Sequence, residues 1–374
     1  MSEARLSKII LVYAAIGGGT CLTGSTGNIW RKQQSTEHQR WLERRHTEAA
    51  AHGSLSAANA SREEQEQDLG LDPDAFRKYS KCIFKNLHKK GERCTPSTLW
   101  GKVVDPVRYE VGCKEIEEML EGNLTFAGEG SARRVYLAEY GGRTVAVKKL
   151  QGEKGAYNIF KHWMETVVLD TVRGHPNIVN MLGSCNTTVV TEAYPMNLET
   201  LVSASPESFP IRSIVSISLD AVRGLQALHE AAEGPIVHFD IKPSQLLMAD
   251  GGRVKLNDFN LAWIMSTGAE GRPCLFTTKP WKTEGPWRPP EFRLAQPMTE
   301  KVDIFSLGFV YFSLISGGSP FREDIVGIPD LDPTWHFGYT ELIRSMWQKP
   351  TLRPSARQVA SRLEELLEEL PPPP

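Results

Sequence analysis

The sequence carries almost no surplus of either charge: 43 Lys and Arg stand against 45 Asp and Glu, a formal net charge of −2 over 374 residues. That balance excludes the broad attraction to polyanions shown by basic chains, and no nucleic-acid partner is expected. Cysteine is sparse. Cys21, Cys82, Cys94, Cys113, Cys185 and Cys274 are all there is, and none forms a C-x-x-C pair, so the common zinc spacings are missing. No internal repeat is visible. A long hydrophobic run is also missing. The uncharged stretch from Ile9 to Trp30 has the length of a spanning helix, about 20 residues. Its apolar part, Ile9 to Ile16, is short, and Gly17-Gly18-Gly19 dilutes the rest. Signal-anchor, cleaved signal peptide and organellar targeting segment all remain open, with signal-anchor first because a polar stretch follows. Arg5, Lys8, Arg31 and Lys32 flank both ends, so the positive-inside rule decides no orientation.

The 40% hydrophobic content is enough for a sizeable core and excludes a disordered chain. The length admits one large or two ordinary domains. Residues 1–30 form the signal-anchor candidate and 31–75 a polar, partly disordered stalk. Residues 76–121 form a Cys-containing extension, 122–370 the main domain and 371–374 a proline tail. Cys82, Cys94 and Cys113 sit close together; they are disulfide-forming in an oxidising compartment and ordinary buried thiols otherwise. Sequons at Asn59, Asn123 and Asn186 fit a lumenal domain.

From 122 onward strands come first and helices second. Tyr136–Ala138 and Thr144–Val147 read as strands around the Gly141-Gly142 turn, and Val189–Thr191 as a buried strand. Val111–Leu120, Phe160–Val172, Ile214–Leu228 and Val359–Leu370 have helical periodicity. Val302–Ile315 is apolar nearly all round and is expected to be a buried central helix.

Four segments carry chemistry. Gly128-Glu129-Gly130-Ser131-Ala132-Arg133-Arg134-Val135 follows G-x-G-x-x-G-x-V with Arg133 at the third glycine. Gly128 and Gly130 let backbone N–H groups approach phosphates with no Cβ in the way, although a Gly-rich turn alone is common. In Val145-Ala146-Val147-Lys148 strand alternation puts Ala146 and Lys148 on one face, leaving room for adenine and a reach to phosphates. Glu165 on the next helix can pair with Lys148. An exposed pair of this kind contributes little, so a functional one is expected to be shielded. His238-Phe239-Asp240-Ile241-Lys242-Pro243-Ser244-Gln245 offers Asp240 to orient a hydroxyl and take its proton, and Lys242 to neutralise phosphoryl charge. Asn257-Asp258-Phe259-Asn260 places Asp258 after the Val254–Leu256 strand, poised for Mg2+.

In this order the segments resemble the eukaryotic protein-kinase family over residues 122–370, and Lys242-Pro243 resembles its Ser/Thr type. The resemblance implies an α+β, two-lobed fold with a small sheet-rich N-lobe and a larger helical C-lobe. It implies ATP and Mg2+ as cofactors and transfer of the γ-phosphate to a hydroxyl, protein Ser/Thr first and glycan second. It implies Asp240 and Lys242 as catalytic, and Gln245 and Asp258 as metal ligands. The implied ATP-binding set is Gly128, Gly130, Val135, Ala146, Lys148, Glu165, Glu192 and Leu247. Pro290-Glu291 stands at the A-P-E position with Arg353 as expected partner, and Asp303 is expected to bond the catalytic-loop backbone. The run from Gly112 to Ile116, the basic residue at 133, Gln245, Asn257-Asp258 without a following Gly, and Cys113, Cys185 and Cys274 also resemble protein O-mannose kinase, a lumenal, membrane-anchored family. Lys148 in V-A-V-K and His238-x-Asp240-x-Lys242-Pro243 depart from it.

Within the catalytic-loop and metal-binding segments three positions depart from the wider pattern. Gln245 replaces Asn and adds a methylene to the metal-binding amide. Asn260 replaces Gly but tolerates φ > 0. Phe239 replaces the Arg that answers an activation-loop phosphate, so no such switch is expected, and the Trp-, Pro- and Gly-rich segment 261–290 is expected to be fixed by packing. An ATP-binding pseudokinase and a membrane-anchored scaffold are the alternatives. The survival of Lys148, Glu165, Asp240, Lys242 and Asp258 weighs against both. The expected partners are a protein or glycoprotein acceptor and, through the N-terminal segment, a membrane. The domain is expected in the secretory lumen, with cytoplasm as the alternative.

Overall fold

A computed structural model describes residues 94–130, 133–150, 156–204, 209–268, 271–278, 287–317 and 328–372. The signal-anchor candidate, the stalk, Asn59, Cys21, Cys82 and Trp281 lie outside these residues. Among the described residues no helix is long and apolar enough to cross a membrane.

Five antiparallel strands form the first layer: β1 (Thr125–Glu129), β2 (Arg133–Tyr140), β3 (Arg143–Leu150), β4 (Met181–Cys185) and β5 (Thr188–Glu192), in the order β1-β2-β3-β5-β4. Gly141 and Gly142 both take positive φ and close the β2–β3 hairpin in the left-handed region that Gly adopts freely. Strand register sorts the side chains. Val135, Ala146 and Lys148 share one face through the pairs Val135–Lys148 and Leu137–Ala146. Val145, Val147, Ala138 and Val190 take the other face and enclose a core with Ile116, Met119 and Leu182.

That core is completed from outside the sheet. Helix α1 (Cys113–Glu121) buries Ile116 and Met119. It starts two residues later than the apolar periodicity predicts. Glu115 folds back to accept the Gly112 N–H at 3.0 Å, and Val111 instead runs beside β4, its N–H donating to the Leu182 carbonyl at 2.9 Å. The approach is so close that a Cβ on Gly183 would lie 2.0 Å from the Val111 oxygen, so only Gly fits there. Cys113 and Cys185 form a disulfide at the same place.

Helix α2 (Ala156–Thr171) lies between the sheet and the helical part. The latter contains α3 (Leu198–Ala204), α4 (Ile211–His229), the short pairs β6 (Ile236–Val237) with β9 (Trp263–Ile264) and β7 (Leu246–Met248) with β8 (Val254–Leu256), then α5 (Pro290–Arg293), α6 (Lys301–Ile315), α7 (Phe337–Met346) and α8 (Ala356–Glu369). Every residue of α6 from Val302 to Ile315 is buried, as its all-round apolar sequence requires. The α+β, two-lobed order is the one the motif sequence implied.

The segment 94–111 straps α2 to the segment following Asp258. Thr95 exchanges two backbone hydrogen bonds with Thr267 (2.7 and 3.1 Å), and Cys94 is disulfide-bonded to Cys274. The Trp100 indole donates to the Ile264 carbonyl at 3.2 Å and packs against Phe160, Trp163 and Trp263. On α2, the Trp163 indole donates to the Lys102 carbonyl at 2.7 Å, and Asp170 receives Lys102 at 2.8 Å and the Tyr109 hydroxyl. Among the described residues no cysteine is free.

Candidate active site

The cleft lies between the sheet and the helical layer. Gly128 and Gly130 mark its upper edge; Gly130 N–H donates to the Arg133 carbonyl at 2.8 Å and closes the turn. Neither glycine has a positive φ. What they leave is space: a Cβ on Gly128 meets nothing within 4 Å, and one on Gly130 meets only the Arg133 carbonyl at 3.9 Å. An anion can therefore approach the backbone there. Val135, Ala146 and Lys148 line the face below by strand register.

Lys148 is buried and bonded twice, to Glu165 Oε1 at 2.9 Å and to Asn257 Oδ1 at 2.8 Å. Glu165 is fully buried. Burial pushes its carboxyl up, but Arg133 and Lys148 more than offset that, and its pKa falls to about 2. Arg133 pairs with Glu165 Oε2 and also donates to His162 Nδ1 at 3.3 Å. His162 is driven down to about 3 by burial first and the Arg133 charge second, so its ring is neutral and can accept that bond. Arg133 is thus a second cation on Glu165. The signal for it was available: counting back by twos from Val135 puts Arg133 on the Lys148 face.

The lower rim is the candidate catalytic loop, residues 238–245. Asp303, at the start of α6, receives the backbone N–H groups of His238 (2.7 Å) and Phe239 (2.8 Å) and the His229 ring at 3.0 Å. His238 accepts the Asp240 N–H at Nδ1 (3.2 Å), so its Nε2–H donates to the Asn257 carbonyl at 3.0 Å. Its ring lies 5.1 Å from the ring of buried Phe259. Phe239 (φ 67°) and Asp258 (φ 65°) hold left-handed backbone. The positive φ that Asn260 could have supplied is at Asp258 instead.

Three donors converge on Asp240: Arg288 at 2.7 Å on Oδ1, and Lys242 at 3.1 Å and Gln245 Nε2 at 3.2 Å on Oδ2. The same Gln245 amide lies 3.2 Å from Asp258 Oδ2 and so bridges the two carboxylates. Burial, then the Glu165 and Asp240 charges beside it, raise the Asp258 carboxyl. Carboxylates crowded in this way fit a divalent cation, which would relieve them, and turning the Gln245 amide over would present its oxygen to it. Asp258 and Gln245 would hold Mg2+. On the anion side, Arg133, Lys148, Lys161, Lys242 and Arg288 outnumber the carboxylates Glu165, Asp240 and Asp258, so the cleft suits a polyphosphate.

Glu192 and Leu247 lie at the back of the cleft. Leu247 forms a bridge with Asn197, and the Met248 N–H donates to the Met196 carbonyl at 2.9 Å. The Glu192 carboxylate is taken by Asn180 N–H (3.1 Å), the Tyr194 hydroxyl (3.0 Å) and Lys255 (2.7 Å). Its side chain serves this joint, its N–H donates to the Asn180 carbonyl at 3.1 Å, and its carbonyl, which accepts the Thr191 hydroxyl at 3.1 Å, keeps one lone pair. Glu291 is clasped by both terminal nitrogens of Arg353. The contacts of Arg133, His162, Asn257 and Arg288 were not foreseen from the motifs.

Residues 123–370 match the family described as protein kinase domain. Among curated proteins the chain is 32% identical over 203 residues to serine/threonine-protein kinase PBS1 of Arabidopsis thaliana, covering 52% of this chain and 43% of that one. It is 30% identical over 282 residues to serine/threonine-protein kinase 12 of the same plant, covering 69% and 58%. It is 28% identical over 264 residues to probable serine/threonine-protein kinase drkA of Dictyostelium discoideum, covering 64% and 38%. These matches thus span between 38% and 58% of the relatives' own lengths.

Proposed function

We propose that this chain, which belongs to the protein kinase family, transfers the γ-phosphoryl group of ATP to a hydroxyl, that of protein Ser or Thr first. The observation that carries this reading is the Gln245 amide 3.2 Å from both Asp240 and Asp258, opposite a buried Lys148–Glu165 pair. A scaffold needs neither. In this reading Asp240 orients the acceptor hydroxyl and takes its proton as the new O–P bond forms and the bond to the ADP leaving group breaks. Lys242 offsets charge on the transferred group. Lys148, held by Glu165, lies on the phosphate side. Mg2+ bound by Asp258 and Gln245 would supply charge neutralisation of the phosphates.

Two features support an oxidising, lumenal setting: the disulfides Cys94–Cys274 and Cys113–Cys185, and the exposure of the sequon residues Asn123 and Asn186. In such a compartment glycan hydroxyls become available, which favours a glycan acceptor as the second reading, in line with the O-mannose kinase resemblance. A membrane anchor would come from residues 1–30.

The test uses the full chain with γ-labelled ATP, Mg2+ and casein or an O-mannosyl glycopeptide. The expected result is transfer by the wild type and none by Asp240→Asn. Thermal stabilisation by Mg-ATP without transfer to either acceptor would instead support the pseudokinase reading.

A further inference from the structure

The catalytic loop has lost its usual arginine, since position 239 is Phe. A guanidinium nevertheless reaches the base. Arg288 donates to Asp240 Oδ1 at 2.7 Å and to the Phe239 carbonyl. It is only 6% exposed, and its guanidinium carbon lies 5.7 Å from the Phe239 ring centre and 5.6 Å from that of Phe292. Phe239 itself packs on Phe276 and Phe292.

The backbone carrying Arg288 is pinned on both sides. The Trp287 carbonyl accepts the Ser306 hydroxyl at 2.8 Å, and the Pro289 carbonyl accepts the Phe292 N–H at 3.1 Å. One turn on, Glu291 is held by Arg353. A plug that has to leave for substrate would sit on a hinge, whereas Arg288 sits between anchors. The occupancy of Asp240 fits the same conclusion. Oδ2 receives Lys242 and Gln245, while Oδ1 receives Arg288 alone among the side chains of the described residues, and a carboxylate oxygen has two lone pairs. A position for a hydroxyl donor remains on Oδ1 with Arg288 in place.

We propose that Arg288 is a positioning residue for the base: it fixes the Asp240 carboxylate for the acceptor hydroxyl, so that the catalytic loop is set by the activation segment through a guanidinium and not through a phosphate. The planar fork reaches the Phe239 carbonyl and the Asp240 carboxylate at once, which a lysine ammonium on its flexible stem does not reproduce. The inference rests on the kinase reading.

The experiment compares wild type, Arg288→Ala and Arg288→Lys as full chains, with casein and γ-labelled ATP, and follows kcat, the KM for ATP, melting temperature and the effect of guanidinium chloride at millimolar concentration. Misplacement of the base by about 1 Å costs on the order of a hundredfold in rate. Arg288→Ala is expected to lose about that in kcat with the KM for ATP little changed, and free guanidinium is expected to restore part of the loss. Arg288→Lys is expected to fold and still fall below wild type in kcat. A kcat for Arg288→Ala equal to or above wild type would make Arg288 an inhibitory contact and overturn the proposal. Should Arg288→Ala not fold, an Arg288→Lys enzyme with wild-type kcat would overturn it equally. An inert wild type would overturn the kinase reading, and this inference with it.

Discussion

Acidification should weaken this fold through His162 before it reaches Glu165. His162 is 4% exposed on α2, beside the Arg133 guanidinium, and its pKa is depressed to about 3 by burial and that charge. In the unfolded chain it returns to about 6.5. Between these values the unfolded state binds the extra proton, so stability is complete above pH 6.5 and falls as the pH drops towards 3. One such group removes about 1.4 kcal/mol by pH 5.5 and about 2.7 kcal/mol by pH 4.5. The first figure hardly depends on the folded value, because His162 is still neutral in the folded state at pH 5.5. Glu165 acts in a separate window: its pKa is depressed to about 2, so its contribution is full above about 4.5 and lost only below. His175 is also lowered, chiefly by burial, and acts with the same sign. The measurement is therefore a subtraction. Urea unfolding of wild type and His162→Gln is followed at pH 7.5, 6.5, 5.5 and 4.5. The Gln oxygen can still accept from Arg133, so the variant should fold. The stability gap should shift in favour of the variant by about 1.4 kcal/mol between pH 7.5 and 5.5. Parallel curves would refute a neutral, buried His162.

Gly183→Ala would push a methyl into the Val111 carbonyl 2.0 Å away and should destabilise by about 1–3 kcal/mol, read by chemical denaturation. Cys94→Ser or Cys274→Ser opens a bridge between residues 180 apart in sequence; loop entropy bounds the loss at about 5 kcal/mol, and thermal melts of the variants should coincide with each other below wild type. Arg353→Met leaves the buried Glu291 carboxylate without its bidentate partner and should cost about 3–5 kcal/mol in urea unfolding, while Glu291→Gln/Arg353→Met together should cost less than the two single changes summed.

Much of the cleft was legible in the linear chain, for physical reasons. Strand alternation is a property of the backbone, so Val145-Ala146-Val147-Lys148 announced which side chains face together. A buried helix must be apolar all round, so Val302–Ile315 identified itself. The candidate catalytic and metal loops are short, and Asp240, Lys242 and Gln245 fall within six consecutive residues. From these the fold class follows, and with it the expectation that Lys148 meets Glu165.

What the spacing could not contain is which distant groups share a buried charge. Glu165 was expected to have one cation and has two, because the residue that replaced the third glycine lies on the Lys148 face of β2 and is buried there beside it. Asp240 receives an arginine from 48 residues away, and the N-terminal extension is bonded to the activation segment across 180 residues. Partners so far apart are selected by desolvation and packing once the chain has collapsed: an unpaired charge inside is too costly to persist, and any cation within reach will answer it. The sequence alone determined the set of reactive groups and their order. Only the tertiary structure decided that Phe239 and Arg288 stand together at Asp240, since that pairing exists in space and in no local pattern.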